Sequence, residues 1–478
     1  MKKIITIGLV LSLMTSMVAC DKNNSANQPE EVRLVSDQII DQPAVDPETG
    51  GEDQDTDTEN PDETETPDET ETPDETETPG DTEDPDQVGE TETGETDSGQ
   101  DNPDSETGEE DPEAGEEETV DYQALVPNPY SDVDYGPQVK SESFESNPKI
   151  EVKALFITAN TAVSSRLDDI IALIDSTDLN ALVIDVKNDD GNILFDSDAA
   201  RKYVPSANDG VQIKDMEAFM AKMKEHDIYT IARIVTFKSP KFAKAYPEKG
   251  ITYRSTGGLY YADGSYWVSP FDQDLRDYNI AVSKEAIAHG FNEIQFDYVR
   301  FPATGAKLDK DLDFKNPDNH SKTFAIQEFV KQAYQEISAM EAYVALDVFG
   351  WTATTTNDSG IGQHWEGMSN VSDYMCPMVY PSHYGPNNFG IKVPDAEPYL
   401  TVFESMTDAI ERNENIQTPA QLRPWLQAFT ATWVNGYIVY DRDEIQAQIQ
   451  ACKDLGINDY IFWSSSNKYP AHWFNKEE

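Results

Sequence analysis

The fold is indicated most clearly by one stretch of the 478-residue chain, Glu293-Ile294-Gln295-Phe296-Asp297-Tyr298-Val299-Arg300-Phe301-Pro302. Polar and apolar residues alternate from Glu293 to Tyr298, which is the period of a β-strand. Asp297 therefore shares one face with Gln295 and Glu293. The strand runs into a segment that holds both an acid and a base, so its carboxyl end is a candidate site.

Similar runs rich in Val, Ile, Phe or Tyr follow Lys149, and we predict a strand in each: Val152–Thr158, Ala181–Val186, Tyr229–Val235, Tyr343–Phe349, Asp373–Tyr380, Arg423–Phe429 and Asp459–Trp463. Helical segments with one apolar face separate these runs. This alternation predicts an α/β fold, a (β/α)8 TIM-type barrel, over residues 146–478. The alternative is a doubly wound open sheet, which typically has a glycine-rich turn after its first strand; Thr158-Ala159-Asn160-Thr161 is not one.

Chemistry in such a barrel takes place at the carboxyl ends of the strands. The residues predicted at these ends are unusually polar or aromatic: Asp185 to Asp190, Arg233, Lys238, Asp297, Arg300, Asp347, Trp351, Tyr380, His383, Gln427 and Trp463.

Several motifs occur in a fixed order: Ile184-Asp185-Val186-Lys187, Ala232-Arg233-Ile234-Val235, the strand of Asp297, Asp347-Val348-Phe349-Gly350, Pro377-Met378-Val379-Tyr380-Pro381-Ser382-His383-Tyr384 and Arg423-Pro424-Trp425-Leu426-Gln427. Together they resemble a bacterial barrel family described as glycosyl hydrolases of unknown specificity. The resemblance covers residues 150–475 and implies a class of reaction, but no particular substrate.

Glycoside hydrolysis commonly uses one ionised and one protonated carboxyl group. Asp297 is the first candidate for the ionised group, with Arg300 expected to lower its pKa. The resemblance to barrel glycosidases that carry an Asp nucleophile on strand four points the same way. The alternative is a structural Asp297 that holds the following loop through Arg300.

Asp347 is the candidate partner, because neighbouring strands lie about 4.8 Å apart. The two carboxyl groups are then expected about 5–6 Å apart, near the spacing of retaining enzymes. The alternative is a buried Asp347 that caps a loop or orients another side chain. Asp185 is the third catalytic candidate, and its alternative is a structural pair with Lys187 or Arg233.

Aromatic residues near the strand ends suit a sugar site, because their faces stack on sugar rings. Tyr266 and Trp267 follow an Asp263-Gly264 pair that predicts a hairpin. The candidate substrate-binding residues are Arg233, Arg300, Tyr266, Trp267, Trp351, Tyr380, His383, Gln427 and Trp463. The alternative for each single ring is packing in the core or a loop, and His383 is equally suited to loop packing.

No zinc-binding pattern such as His-Glu-x-x-His occurs in the sequence, so we predict neither a metal nor a cofactor. The acidic residues 185–190 leave Ca²⁺ binding open, although their spacing does not match an EF-hand.

Charge divides the chain into two unequal parts. The sequence has 91 acidic and 35 basic residues, a net charge of −56. Residues 21–120 hold 39 of the acids but only Lys22 and Arg33 as bases, with a proline at every sixth position from Pro61 to Pro85. Such a composition predicts a disordered, extended tether over residues 21–145. The acidic balance argues against a nucleic-acid partner.

The first 20 residues are typical of an export signal, with Lys2 and Lys3 before a short apolar stretch. The ending Met17-Val18-Ala19-Cys20 resembles the lipobox of bacterial lipoproteins, which implies a lipid anchor on Cys20. The alternatives are an ordinary signal peptide and an uncleaved anchor. We therefore predict an exported, membrane-anchored glycoside hydrolase that acts on a polysaccharide; the alternative is a non-catalytic glycan-binding lipoprotein on a barrel scaffold.

Overall fold

The computed structural model describes residues 120–474 of the chain. Parallel strands form a closed barrel in the order β1 (Lys153–Ile157), β2 (Ala181–Lys187), β3 (Tyr229–Val235), β4 (Glu293–Asp297), β5 (Tyr343–Phe349), β6 (Tyr374–Met378), β7 (Trp425–Gln427) and β8 (Tyr460–Trp463). Pairing of β5 with β6 and of β8 with β1 closes the ring. The predicted TIM-type barrel is thus confirmed, and the open sheet is excluded.

The seventh strand is shorter than predicted. A separate piece, Gln421–Leu422, pairs with β6 before β7 begins. Pro424 lies between the two pieces, and proline has no N–H to donate to a sheet.

Helices on the outside connect successive strands: α1 (Arg166–Asp175), α2 (Met216–Glu225), α3 (Gln273–His289), α4 (Lys322–Ser338), α5 (Pro398–Asn413) and α6 (Arg442–Asp454). Asp215, Asp272 and Ser321 cap α2, α3 and α4 by accepting a hydrogen bond from a first-turn N–H. Shorter helical segments are Tyr122–Leu125, Ala159–Ala162, Asp198–Tyr203, Pro205–Gly210, Pro240–Ala245, Gly305–Asp309, Trp351–Thr354, Trp365–Ser369, Pro381–His383, Asn388–Gly390, Pro394–Ala396 and Ala471–Trp473. Two small antiparallel ribbons pair Thr252–Tyr253 with Leu312–Asp313 and Tyr261–Ala262 with Ser265–Tyr266.

Alternation along the strands divides the core into two parts. Leu155, Ile184 and Phe296 belong to the apolar layer between the strands and the helices. The intervening residues, such as Ile231 and Ala345, form a separate cluster inside the barrel. The same period of two carries Asp185, Arg233, Asp297 and Asp347 inward at the carboxyl ends of β2 to β5.

The amino end of the barrel is filled by a buried ion pair. Arg423 Nη1 donates to Glu293 Oε1 at 2.5 Å, and both side chains are inaccessible to solvent. The Arg423 guanidinium lies 3.7 Å from the centre of the Tyr374 ring, and the Tyr229 hydroxyl donates to Glu293. A buried charge pair is stable only with such additional partners. The amino end of the barrel is therefore closed by packed side chains.

Residues before β1 are part of the folded unit. Val126, Val133 and Tyr135 are buried together with Ile416. Lys140 Nζ donates to the carbonyl oxygens of residues 369 and 418 at 2.9 and 2.6 Å. The folded part therefore begins near residue 122, earlier than the predicted boundary at residue 146.

The predicted export signal, Cys20 and residues 21–119 of the predicted tether lie outside the described residues. Within residues 120–474, every helix is too short or too polar to cross a membrane.

The packing of residues 122–145 is testable with two valines. We expect Val133→Ala to lower the free energy of unfolding by about 1.5 kcal/mol, because it removes two buried carbon groups. Val139→Ala should change it by less than about 0.5 kcal/mol, because Val139 is 96% exposed and Val133 only 3%. Urea unfolding of the full chain measures both, and equal effects would place this segment outside the fold.

Candidate active site

Arg233 is the centre of the polar network at the barrel mouth. Its Nε and Nη2 donate to Asp297 Oδ2 at 2.9 and 2.6 Å. Its Nη1 donates to Asp185, and Nη2 also reaches Asp189 Oδ2 at 3.3 Å. Because Arg233 lies on β3 between β2 and β4, one guanidinium binds carboxylates from both neighbours. The structure brings Asp185, Arg233 and Asp297 together in one network.

Asp297 accepts hydrogen bonds on both of its carboxyl oxygens. Besides the two bonds from Arg233, its Oδ1 accepts a hydrogen bond from the Tyr298 N–H at 2.6 Å. Tyr298 has a φ of 49°, an uncommon conformation for a large side chain, and it turns the chain sharply after β4. Hydrogen bonds from Arg233 and from the Tyr298 N–H therefore fix the orientation of the Asp297 carboxyl group.

The cation that hydrogen-bonds Asp297 is Arg233, and not Arg300 as the sequence suggested. The Arg300 guanidinium is buried among rings, 4.7 Å from the centre of Trp267 and 4.6 Å from that of Phe349. It donates to the Phe301 carbonyl and lies 3.7 Å from Asp263. The buried Arg300 side chain therefore joins the loops that follow β3 and β4.

Asp347 is in the opposite environment to Asp297. Its side chain is 1% exposed, its Oδ1 accepts from the Trp425 indole N–H at 2.6 Å, and its Oδ2 has no partner among residues 120–474. Burial raises the pKa of Asp347 well above its usual range, and the charge of Asp297 raises it further. The two residues directly follow the paired Phe296 and Leu346, so they occupy adjacent positions on β4 and β5.

Asp185 is placed against Arg233, and the alternative pairing with Lys187 is wrong. A bulge between Asp185 and Lys187 turns Lys187 out of the barrel, where Nζ donates to Asn279 on α3 at 2.8 Å. Burial raises the pKa of Asp185 to about 6, against the opposing effect of Arg233.

Asp189 and Lys238 were not assigned as site residues from sequence, although each lies three residues beyond a predicted strand. Lys238 Nζ donates to Asp189 Oδ1 at 2.9 Å. Although burial opposes the change, Arg233 and Lys238 lower the pKa of Asp189 to about 2. Arg233 and Lys238 thus pair with Asp185 and Asp189, two of the acidic residues that the sequence left as possible Ca²⁺ ligands. Nowhere between residues 120 and 474 do three or more His, Cys, Asp or Glu side chains converge as a metal site.

Rings line the other side of the mouth. Tyr380, Phe429 and Trp463, which we call the aromatic wall, contact one another at centroid distances of 5.3 to 6.1 Å. Burial raises the pKa of the Tyr380 hydroxyl, and the charges of Asp347 and Asp297 raise it further. His383 is exposed beside the Tyr380 ring. Phe429 was missed as a site residue, although it ends a predicted strand as Tyr380 and Trp463 do.

The predicted hairpin is confirmed, but only one of its two candidate rings faces outward. Asp263 and Gly264 have φ angles of 53° and 70°, as a tight turn between paired strands requires. Tyr266 is partly exposed against the ring of Tyr261. Trp267 is fully buried, with its indole N–H on the Ala262 carbonyl, so its prediction as a stacking platform is wrong.

Gln427 and Trp351 also differ in exposure. Gln427 is fully buried, accepts from the Ser382 N–H at 3.0 Å and donates to Asp395 at 3.0 Å. Its prediction as a substrate contact is wrong, because its amide is used in joining loops. Trp351 begins a short helical segment after β5 and is partly exposed, so it stays a candidate.

Residues 154–469 match the family model described as "Putative glycosyl hydrolase domain". No curated protein matches the sequence.

Several solved structures are similar. The PgaB (BpsB) glycoside hydrolase domain of Bordetella bronchiseptica is 14% identical over 69% of this chain and 100% of that chain, with a TM-score of 0.48. The spore cortex-lytic enzyme SleL of Bacillus megaterium QM B1551 is 13% identical over 68% of this chain and 74% of that chain, with a TM-score of 0.41. A hypothetical protein of Ruminiclostridium thermocellum ATCC 27405 is 29% identical over 41% of this chain and 97% of that chain, with a TM-score of 0.36.

The family match spans the barrel from β1 to the segment after β8 and covers more than half of the chain, so this protein belongs to the family of glycosyl hydrolase domains that the model describes.

Proposed function

We propose that the protein is a glycoside hydrolase that cleaves a polysaccharide, with Asp297 as the ionised carboxylate and Asp347 as the acid. The observation that carries this proposal is the contrast between two carboxyl groups at adjacent positions of β4 and β5. Asp297 accepts hydrogen bonds from Arg233, whereas burial raises the pKa of Asp347. Two carboxyl groups whose environments differ in this way suit the two roles of a glycosidase.

In this mechanism Asp347 protonates the glycosidic oxygen while Asp297 attacks the anomeric carbon or activates a water. The Trp425 indole N–H then hydrogen-bonds the carboxylate that Asp347 becomes. If Asp297 forms a covalent ester, its negative charge disappears and no longer raises the pKa of Asp347. Asp347 can then act as the base for the second step.

The substrate class follows from the aromatic wall beside these carboxyl groups. Ring faces stack on the apolar faces of sugars, and Tyr380, Phe429 and Trp463 gather such rings at and just beyond the carboxyl ends of β6 to β8. We further propose that the protein is exported and held at the membrane by a lipid on Cys20. The acidic residues 21–119 would then space the barrel from the membrane, as their charge and proline content suggest.

One observation favours the second candidate function, a glycan-binding protein without activity. Asp347 is almost inaccessible, so a glycosidic oxygen can reach it only after a neighbouring side chain moves. Catalytic hydrogen bonds often form only in the substrate complex, and the following experiment separates the two functions.

Asp297→Asn should lower turnover by more than about 10²-fold on both polysaccharides and aryl glycosides, because the ionised carboxylate is lost. Asp347→Asn should spare aryl glycosides with a good leaving group, because their departure needs little protonation. Hydrolysis of a panel of both substrate types measures the difference. Asp190→Asn is the control, since Asp190 is exposed in the loop after β2. Near-normal turnover in Asp297→Asn would contradict the catalytic assignment and favour the binding protein.

The raised pKa of Asp347 predicts a pH-dependent change in stability. Above the ordinary carboxyl pKa near 4, the unfolded chain ionises at this position while the folded chain keeps its proton. The free energy of unfolding of the unmodified chain therefore falls as pH rises above this value. Asparagine does not ionise, so Asp347→Asn lacks this loss of stability.

We expect the free energy of unfolding of Asp347→Asn, relative to the unmodified chain, to rise by at least about 1 kcal/mol between pH 4 and pH 7. Urea unfolding at both pH values measures it, with Asp190→Asn as a control that should show no such rise. A difference that stays constant with pH would mean that Asp347 titrates normally.

A further inference from the structure

We infer that the loop of residues 430–440 carries a second sugar-binding subsite outside the barrel mouth, with Trp433 as its platform and an uncharged polysaccharide as its ligand. The inference rests on the proposed function, because it assigns a binding place to a further part of the same glycan. The site lies beyond the aromatic wall and uses residues of the loop that follows β7.

The loop exposes an unusual amount of apolar surface. Trp433 is 57% exposed, and Tyr437 and Val439 of the same loop are also large, apolar and exposed. Several exposed apolar groups on one loop are typical of a binding surface.

The exposed ring is continuous with the barrel mouth. Trp433 stacks on Phe429 at a centroid distance of 5.9 Å and an interplanar angle of 19°. Phe429 in turn contacts Trp463 and Tyr380 of the aromatic wall at 5.3 and 6.1 Å. A row of rings therefore leads from Tyr380, just beyond the carboxyl end of β6, to Trp433 on the surface, and a chain of sugar rings can follow the same path.

The loop is held in place before any ligand binds. The Tyr440 N–H donates to the Thr430 hydroxyl at 3.0 Å and closes the base of the loop. Buried Asp395 accepts from the Ile438 N–H at 3.3 Å, and its carbonyl accepts from the Tyr440 hydroxyl at 3.0 Å. Gln427 donates to the same Asp395 and joins the loop to β7. A platform fixed in this way binds without the cost of ordering a loop.

The charge of the folded part selects the ligand. Residues 121–478 contain 52 acidic and 31 basic residues, a net charge of −21. A polyanionic glycan is repelled by such a surface, whereas an indole face attracts the apolar face of an uncharged pyranose.

Native electrophoresis of the full chain tests the subsite, in gels that contain hydroxyethyl cellulose, galactomannan, xylan, dextran, glycol chitin or polygalacturonate. We expect at least one of the five uncharged polymers to slow the protein. Trp433→Leu should weaken this retention by about tenfold, equivalent to about 1.4 kcal/mol. Trp433→Tyr, which keeps a ring face, should retain most of it. Ile150→Ala is the control, because Ile150 is exposed before β1 at the other end of the barrel.

Three results would overturn the inference: equal retention of Trp433→Leu and the unmodified chain, retention by polygalacturonate alone, or retention by none of the polymers. Size-exclusion chromatography of Trp433→Leu is run alongside. A change in oligomeric state with unchanged retention would instead make the loop a contact between copies of the chain. Because retention is measured without hydrolysis, an inactive protein still reports on Trp433, and failure of the catalytic assignment would be seen separately.

Discussion

The barrel mouth depends on the hydrogen bonds of one guanidinium group, that of Arg233. Its donors reach Asp185 on β2, Asp189 in the following loop and Asp297 on β4. Without this cation, the three carboxylates would repel one another across adjacent strands. Removing one partner from such a buried cluster typically costs about 3–5 kcal/mol, so these residues behave as one unit. The planar fork of arginine suits this role better than the single ammonium group of lysine.

The same arrangement creates the difference between the two central carboxyl groups. Asp297 receives the bonds of Arg233, whereas Asp347, next to it on β5, receives an indole N–H and is sealed from water. The charge held on Asp297 then makes ionisation of Asp347 harder. Stabilising one carboxylate thus helps to keep its neighbour protonated, which is the division of roles that acid-assisted glycoside cleavage requires.

Charged and aromatic side chains occupy different sides of the barrel mouth. Strands β2 to β5 supply the charged side chains, whereas the aromatic wall lies at and beyond the ends of β6 to β8. Buried polar residues hold the loops of both sides in place. Gln427 joins the loops after β6 and β7, and Arg300 joins the loops after β3 and β4. Such residues affect a site through the loops that they hold, which explains why they resemble substrate contacts in the sequence.

Periodicity in the sequence determined the barrel, most of its strand boundaries and the inward direction of Asp297 and Asp347, because the pleat of a strand leaves little freedom once the pattern alternates. It could not determine which cation binds which acid. Arg300 is near Asp297 in sequence, yet after the turn at Tyr298 its guanidinium packs against the Trp267 ring. Arg233, on the neighbouring strand β3, hydrogen-bonds Asp297 instead. A single bulge turned Lys187 outward, and packing buried Trp267. These outcomes depend on local backbone angles and on side chains distant in sequence, and only the closed barrel brings these together.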